Sequence, residues 1–170
     1  GAGQEEIGRA LFGLREISAG NIQFKNAAFT VSSPEMAIKA GISLVAGDRL
    51  QEGAIGVLQV IENLFINPCA SGYNALSSYS LTEEKTRGAE KAERFDIRPK
   101  NVAVDMSSLS GGNQQKVIMA RWLALKSDLI ILEDPTSGVD VGARADIYRL
   151  LNEVLATGIS ILVVSTDFEE

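Results

Sequence analysis

The sequence predicts an α/β fold built on a mostly parallel sheet, and three observations carry that expectation. The continuous apolar run at 129–132 has the pattern of a strand covered on both faces, with a further apolar strand at 161–164 and a third candidate for a buried strand at 42–46. Amphipathic helical stretches alternate with them, as where Ile147, Leu150, Leu151 and Val154 follow the i, i+3, i+4, i+7 spacing. Two carboxylates, Glu133 and Asp134, stand at the carboxyl end of the run at 129–132, which is the end where open α/β sheets bind ligands.

Taken in order, Gly1, Ala2 and Gly3 lead into a helix over 4–14 with Ile7, Ala10, Leu11 and Leu14 on one face. A glycine loop that opens a helix normally follows a strand, so the sequence is expected to begin inside a motif. Residues 21–25 and 28–31 alternate as short strands of a small antiparallel edge. Ser33 caps the next helix, Pro34 takes its first position and Gly41 stops it. Residues 47–81 are rich in turn residues around a short helix over 57–65, and 81–95 forms a charged helix whose run from Thr82 to Arg87 is a solvated face. Ser110, Gly111 and Gly112 then open an apolar helix over 113–126. Its first N–H groups lack intrahelical partners and sit at the positive end of the dipole, equivalent to about half a charge, so a phosphate is the natural occupant. After the strand at 129–132, residues 135–138 turn the chain and Asp140 precedes a last helix and strand. We take 1–170 as a single domain, with 1–47 and 109–170 as the α/β core and 48–108 as a helical insertion.

Composition narrows the function. With 170 residues, 45% of them hydrophobic, the chain can bury a sizeable core. A net charge of −6 argues against nucleic acid as a partner, since phosphate backbones are held by Lys and Arg clusters. There is no His, which removes the usual general base and disfavours zinc chemistry. Cys69 is the sole cysteine, so no internal disulfide forms, and we read it as a loop residue in a surface segment over 67–79. No apolar run approaches the roughly 20 residues that cross a bilayer.

Three stretches are more specific. Leu109-Ser110-Gly111-Gly112-Asn113-Gln114-Gln115-Lys116, the apolar strand ending at Glu133 and Asp134, and Gly138-Val139-Asp140-Val141-Gly142-Ala143 follow one another at the spacing of a signature loop, a Walker B strand and an interface loop. With Gly1 to Gly13 and Ser33 to Ile42, they make nearly the whole chain resemble the second ATP-binding half of the double-cassette ABC ATPases that drive ribose-type monosaccharide importers. The resemblance implies a P-loop NTPase (RecA-like) parallel-sheet core with an ABC α-helical subdomain and a small antiparallel β edge. It implies ATP and Mg2+ as cofactors, and as partners an N-terminal cassette half or second ABC ATPase domain and an integral-membrane permease. It places the chain at the cytoplasmic face of the cell membrane. In that family each ATP is clamped between one cassette's glycine loop and the other's signature. By the same resemblance, the strand before Gly1 and the last strands after Glu170 are expected outside this sequence, together with the aromatic that stacks on adenine.

Measured on that pattern, the glycine loop Gly1, Gly3, Gln4, Glu5, Glu6 departs furthest. Gln4 and Glu5 stand where Lys and a hydroxyl would meet the phosphates and magnesium. A carboxylate about 4 Å from a phosphate charge costs on the order of 4 kcal/mol at an effective dielectric of about 20. Glu133 takes the magnesium position and Asp134 that of the base, the inverse of the family order, and Thr166 takes that of the switch His. Gly47 aligns with the glutamine-loop position. The signature remains whole: Leu109, Ser110, Gly111, Gly112 and Gln114 are expected to act in trans on the partner's ATP, with Ser137 and Asp140 in the interface loop. Two other readings stay open: an independently competent ATPase whose turnover depends on Asp134, and a non-transport scaffold or regulator.

Overall fold

The computed structural model describes residues 3–67 and 80–167. Gly1 and the segment expected as a surface loop, Asn67 apart, lie outside the described residues. Among the described residues, eleven α-helices and β-strands follow in order. They are α1 (Gln4–Leu11), β1 (Ile22–Phe24), β2 (Ala27–Phe29), α2 (Pro34–Ala40), β3 (Ile42–Val45), α3 (Val60–Phe65), α4 (Leu81–Arg94), α5 (Gly111–Trp122), β4 (Leu129–Glu133), α6 (Val141–Leu155) and β5 (Ser160–Val164).

The three apolar runs form one parallel sheet in the order β3-β4-β5. Ile42 pairs with Leu129 and Val45 with Leu132 on one side of β4; on the other, Leu129 pairs with Ser160 and Glu133 with Val164. β1 and β2 pair antiparallel as a separate hairpin, Ile22 opposite Phe29. Successive residues of β4 serve opposite faces, as the period of two requires. Ile130 and Leu132 face a core with Ile118, Met119, Leu64 and Ile147, whereas Ile131 faces another with Phe12, Ala37, Leu44 and Val164. Residues 48–108 add no strand to the sheet among the described residues; α3 packs on α5, and both share the first core.

Several boundaries shift for identifiable reasons. α1 ends at Leu11 because the chain turns at Gly13, φ 80°, where a Cβ would lie 2.6 Å from the backbone of Ser33. α3 begins at Val60, where the Glu62 side chain accepts from Gln59 N–H at 2.7 Å. α5 begins two residues earlier than expected, at Gly111 directly after Ser110, and stops at Trp122. The chain then tightens, Leu125 N–H donating to Trp122 O, and Asp128 N–H reaches Gly41 O at 2.7 Å, setting β4 beside β3. A π-type turn, Arg49–Gly53, was not legible in the sequence; Asp48 caps it by accepting from the N–H groups of Leu50 and Gln51.

Candidate functional sites in two clefts

A first cleft, of about 220 Å³, lies at the carboxyl end of β4 and is lined by Gln4, Glu5, Arg9, Gly47, Asp48, Glu133, Asp134 and Val164. Gly3 sits at φ 84° immediately before α1, a conformation glycine adopts without steric cost, and the helix N-terminus that follows presents Gln4 and Glu5 to the cleft. Glu6 is corrected: its carboxylate turns away and accepts from Arg15 Nε at 2.8 Å, so it does not line the cleft.

Glu133 also departs from its expected role. Its buried carboxylate is held by Arg9, with Nε on Oε1 at 3.1 Å and Nη2 on Oε2 at 3.2 Å, and Gly47 N–H donates to Oε2 at 3.3 Å. The hydrogen bond from Arg9 to Glu133 holds the guanidinium above its already high ordinary pKa, against the opposing effect of burial. Both oxygens expected to hold a metal's water shell are therefore engaged by cationic or amide donors. Among the described residues no three acidic side chains are grouped to hold a metal ion. The donor set does not fit magnesium at this carboxylate.

Asp134 and Thr166 are brought together. Asp134 lies at φ 41°, and its Oδ1 accepts from Thr166 N–H at 2.8 Å, Thr166 Oγ1 at 3.1 Å and Ser165 Oγ at 3.2 Å. Gly47 lies against Glu133 as well: a Cβ there would sit 3.3 Å from Glu133 O, so the position has little room for a side chain.

The second cleft, of about 380 Å³, is lined by Ser110, Gly112 and Asn113 from the start of α5, Asp140, Gly142, Ala143, Asp146 and Arg149 from α6, and Asp96, Arg98 and Lys116. Ser110 is exposed at the N-cap of α5 and accepts from Asn113 Nδ2 at 2.9 Å. Gly112 permits the close approach of the two helices, since a Cβ on it would lie 2.4 Å from Ala143 Cβ. Asp140 caps α6 by accepting from Ala143 N–H at 2.9 Å, and Ser137 O accepts from Arg49 Nη1. Leu109 is buried in the first core. Gln114 is corrected: it is buried, and its Nε2 donates inward to Met106 O and Leu109 O, both at 3.2 Å, so it shapes the loop rather than facing the cleft.

Four basic residues to which the motifs assigned no role tie these elements together. Arg9 joins Glu133 to Glu52, reaching the latter's Oε2 at 3.1 Å. Arg49 ties the π-type turn to the carbonyls of Ser137 and Gly138. Lys116, buried, pairs with Asp146 at 2.8 Å and donates to Asp96 O. Arg121 donates to Gly53 O and Asn63 O, each at 2.8 Å, and burial pushes its pKa down to about 10, so it stays a cation at neutral pH. One local signal was available: Lys116 adjoins the buried run Val117, Ile118 and Met119, where a cation requires a partner.

Comparison with known proteins bears on the family and the fold. Residues 1–137 match the ABC transporter family. The chain is 36% identical over 170 residues to a putative ribose/galactose/methyl galactoside import ATP-binding protein 3 of Agrobacterium fabrum. It is 38% identical over 170 residues to the ribose import ATP-binding protein RbsA 3 of Rhizobium meliloti and to the arabinose import ATP-binding protein AraG 2 of Burkholderia thailandensis. These matches take in 100% of this chain but 34%, 34% and 32% of the relatives, so the chain spans about a third of their length. Among solved structures, the ATP-binding cassette MJ0796 in a post-hydrolysis dimer bound to ADP and Pi matches with a TM-score of 0.77 at 23% identity, over 98% of this chain and 71% of that one. A nucleotide-free cassette from an ABC transporter matches with a TM-score of 0.77 at 22% identity, over 99% and 68%. The fold is that of an ATP-binding cassette.

Proposed function

The chain belongs to the ABC transporter family, and on that premise we propose that it is the signature-donating part of a sugar-import ATPase, acting in trans on ATP held by a partner cassette. The sugar assignment is supported by the relatives named for import of ribose, galactose and arabinose. Its partners are then an N-terminal cassette half or second ABC ATPase domain and a membrane permease, at the cytoplasmic face of the membrane. No helix among the described residues is long and apolar enough to cross a membrane. In this reading 1–47 and 109–170 form the nucleotide-facing core, and 48–108 is the helical subdomain toward the permease.

One observation carries the proposal: Ser110 stands exposed at the N-cap of α5 and lines a cleft with Gly112 and Asn113 of that helix's first turn, while the chain's own Walker B carboxylate is already paired with Arg9. An anion at that N-terminus gains from the unpaired N–H groups and the helix dipole. In phosphoryl transfer, donors aimed at the γ-phosphoryl oxygens stabilise charge as it spreads in the transition state. Ser110 and the N–H groups of Gly111 and Gly112 supply them, while Asp140, fixed as the cap of α6, holds the adjoining loop. ATP and Mg2+ are cofactors of that composite site, with the metal held on the partner's side. At this chain's own loop Gln4 brings no charge and Glu5 brings the wrong one, so turnover there is weak or absent.

The test is the Mg-ATP hydrolysis rate of a competent cassette half, alone and with this chain, as wild type and as Ser110→Arg. Stimulation by the wild type that falls about a hundredfold with Ser110→Arg, with no turnover by this chain alone, supports the proposal. Asp134-dependent turnover by the chain alone would establish an independent ATPase instead. No stimulation in any mixture would favour a scaffold or regulator.

A further inference from the structure

We propose that Arg9 stands in for the divalent cation at the chain's own Walker B carboxylate, so that this end of the molecule does not bind magnesium. The assignment rests on reading Glu133 as that carboxylate. A carboxylate as buried as Glu133 must be paired, because an isolated charge there is strongly disfavoured. The guanidinium meets it side-on with Nε and Nη2, the planar two-point geometry that Arg offers and Lys does not.

The fold delivers Arg9 to this place through its neighbour. Gly8 lies against the sheet, where a Cβ would be 2.9 Å from Ile131 Cγ2 and 3.8 Å from Glu133 Oε1. The bare glycine lets α1 sit close enough for the next side chain to reach the end of β4. The guanidinium is shared as well: Nη2 also contacts both oxygens of Glu52, at 3.2 and 3.1 Å, from the π-type turn. One cation thus neutralises part of a cleft whose other charged lining residues, Glu5, Asp48, Glu133 and Asp134, are all acidic. A divalent ion at Glu133 would have to displace Arg9 from both carboxylate oxygens.

Manganese titration followed by electron paramagnetic resonance, on the chain without nucleotide or partner, tests this. Wild type is expected to show no specific Mn2+ site, and Arg9→Gln to gain one, with a dissociation constant at least about tenfold lower than any wild-type binding and a melting temperature that rises with added Mg2+. Glu133→Gln in the Arg9→Gln background is expected to abolish the gain. Arg9→Met, which removes the charge but keeps an apolar stem, is expected to gain the same Mn2+ site and covers the case in which Arg9→Gln folds poorly. A wild-type Mn2+ site removed by Glu133→Gln overturns the proposal, as does an Arg9→Gln protein that folds and gains no site. The outcome is separable from the proposed function: a wild-type metal site with intact Ser110 dependence sinks only the role of Arg9. Absence of both Mn2+ binding and Ser110 dependence sinks only the trans-acting reading.

Discussion

Thr166 donates twice to one oxygen of Asp134, through its N–H at 2.8 Å and its hydroxyl at 3.1 Å, while Asp134 N–H donates to Val164 O at 2.9 Å. The ends of β4 and β5 are thereby stitched by a carboxylate placed where the resemblance implies a base. Asp134 lies at φ 41°, a region that Asp and Asn tolerate better than other side chains. Asp134→Asn keeps an acceptor and this tolerance and is expected to cost under about 1 kcal/mol, whereas Asp134→Ala, which removes the acceptor altogether, should cost about 2 kcal/mol. Urea unfolding midpoints of the two variants decide it. A loss for Asp134→Ala no larger than for Asp134→Asn would remove the structural role.

Gly112 has a steric duty separate from the phosphate contact proposed for it. Its Cβ position lies 2.4 Å from Ala143 Cβ, so Gly112→Ala should force α5 and α6 apart and destabilise by about 1–3 kcal/mol, less whatever Ala gains in helix propensity. Combining it with Ala143→Gly should return most of that loss, and a double-mutant cycle by thermal unfolding reads the coupling directly. Independent, additive costs would show that the helices do not meet there.

Local chemistry made some of this legible in the sequence, and long-range pairing did not. α2 was readable at both ends because its signals are adjacent in the chain: Ser33 accepts from Met36 N–H at 3.3 Å, Pro34 opens the helix and Gly41 ends it at φ 94°. β3 and β4 were readable because both are buried, leaving largely apolar runs, whereas β5, expected to be covered on both faces, buries only Val164 and leaves Val163 exposed. The inward turn of Gln114 could also have been read, since Gln114, Val117 and Ile118 share the i, i+3, i+4 face. Arg9 could not be assigned its partners, because Glu133 lies 124 residues away and Glu52 lies 43 away. The early start of α5 escaped because glycine is a poor helix former, and only Ser110 at its cap signalled it.

Acid should loosen the signature end of the molecule through Asp146 and Asp96. The hydrogen bond from Lys116 holds Asp146 below the ordinary carboxylate value, and that from Arg98, with further help from Lys116, does the same for Asp96. Carboxylates whose folded pKa is depressed contribute stability that is fully present above the unfolded value, about 4, and is lost as pH falls through the lower folded value. The gap in unfolding free energy between wild type and Asp146→Asn should therefore close as pH drops below about 4. A gap that stays constant from pH 6 to pH 2 would show that the Lys116 contact contributes through packing alone.

Arg121 is the member of this framework whose loss should be felt furthest from its own position. Its guanidinium holds Gly53 O and Asn63 O from within α5, so it fixes the end of the π-type turn and the body of α3 to one helix. That turn also carries Glu52, bound to Arg9 of the first cleft, and Arg49, bound to the carbonyls of Ser137 and Gly138 in the loop that precedes Asp140. Arg121→Lys keeps a cation but cannot span two carbonyls in a planar fork. Leaving one buried carbonyl unsatisfied should cost about 1–3 kcal/mol, with the loss concentrated in the turn. The amides of Glu52 and Gly53, both bonded to Asp48 O at 3.0 Å, should then exchange with solvent about tenfold faster or more, while those of β4 hold their protection. Uniform acceleration across both would mean that Arg121 stabilises the whole domain and does not position the turn.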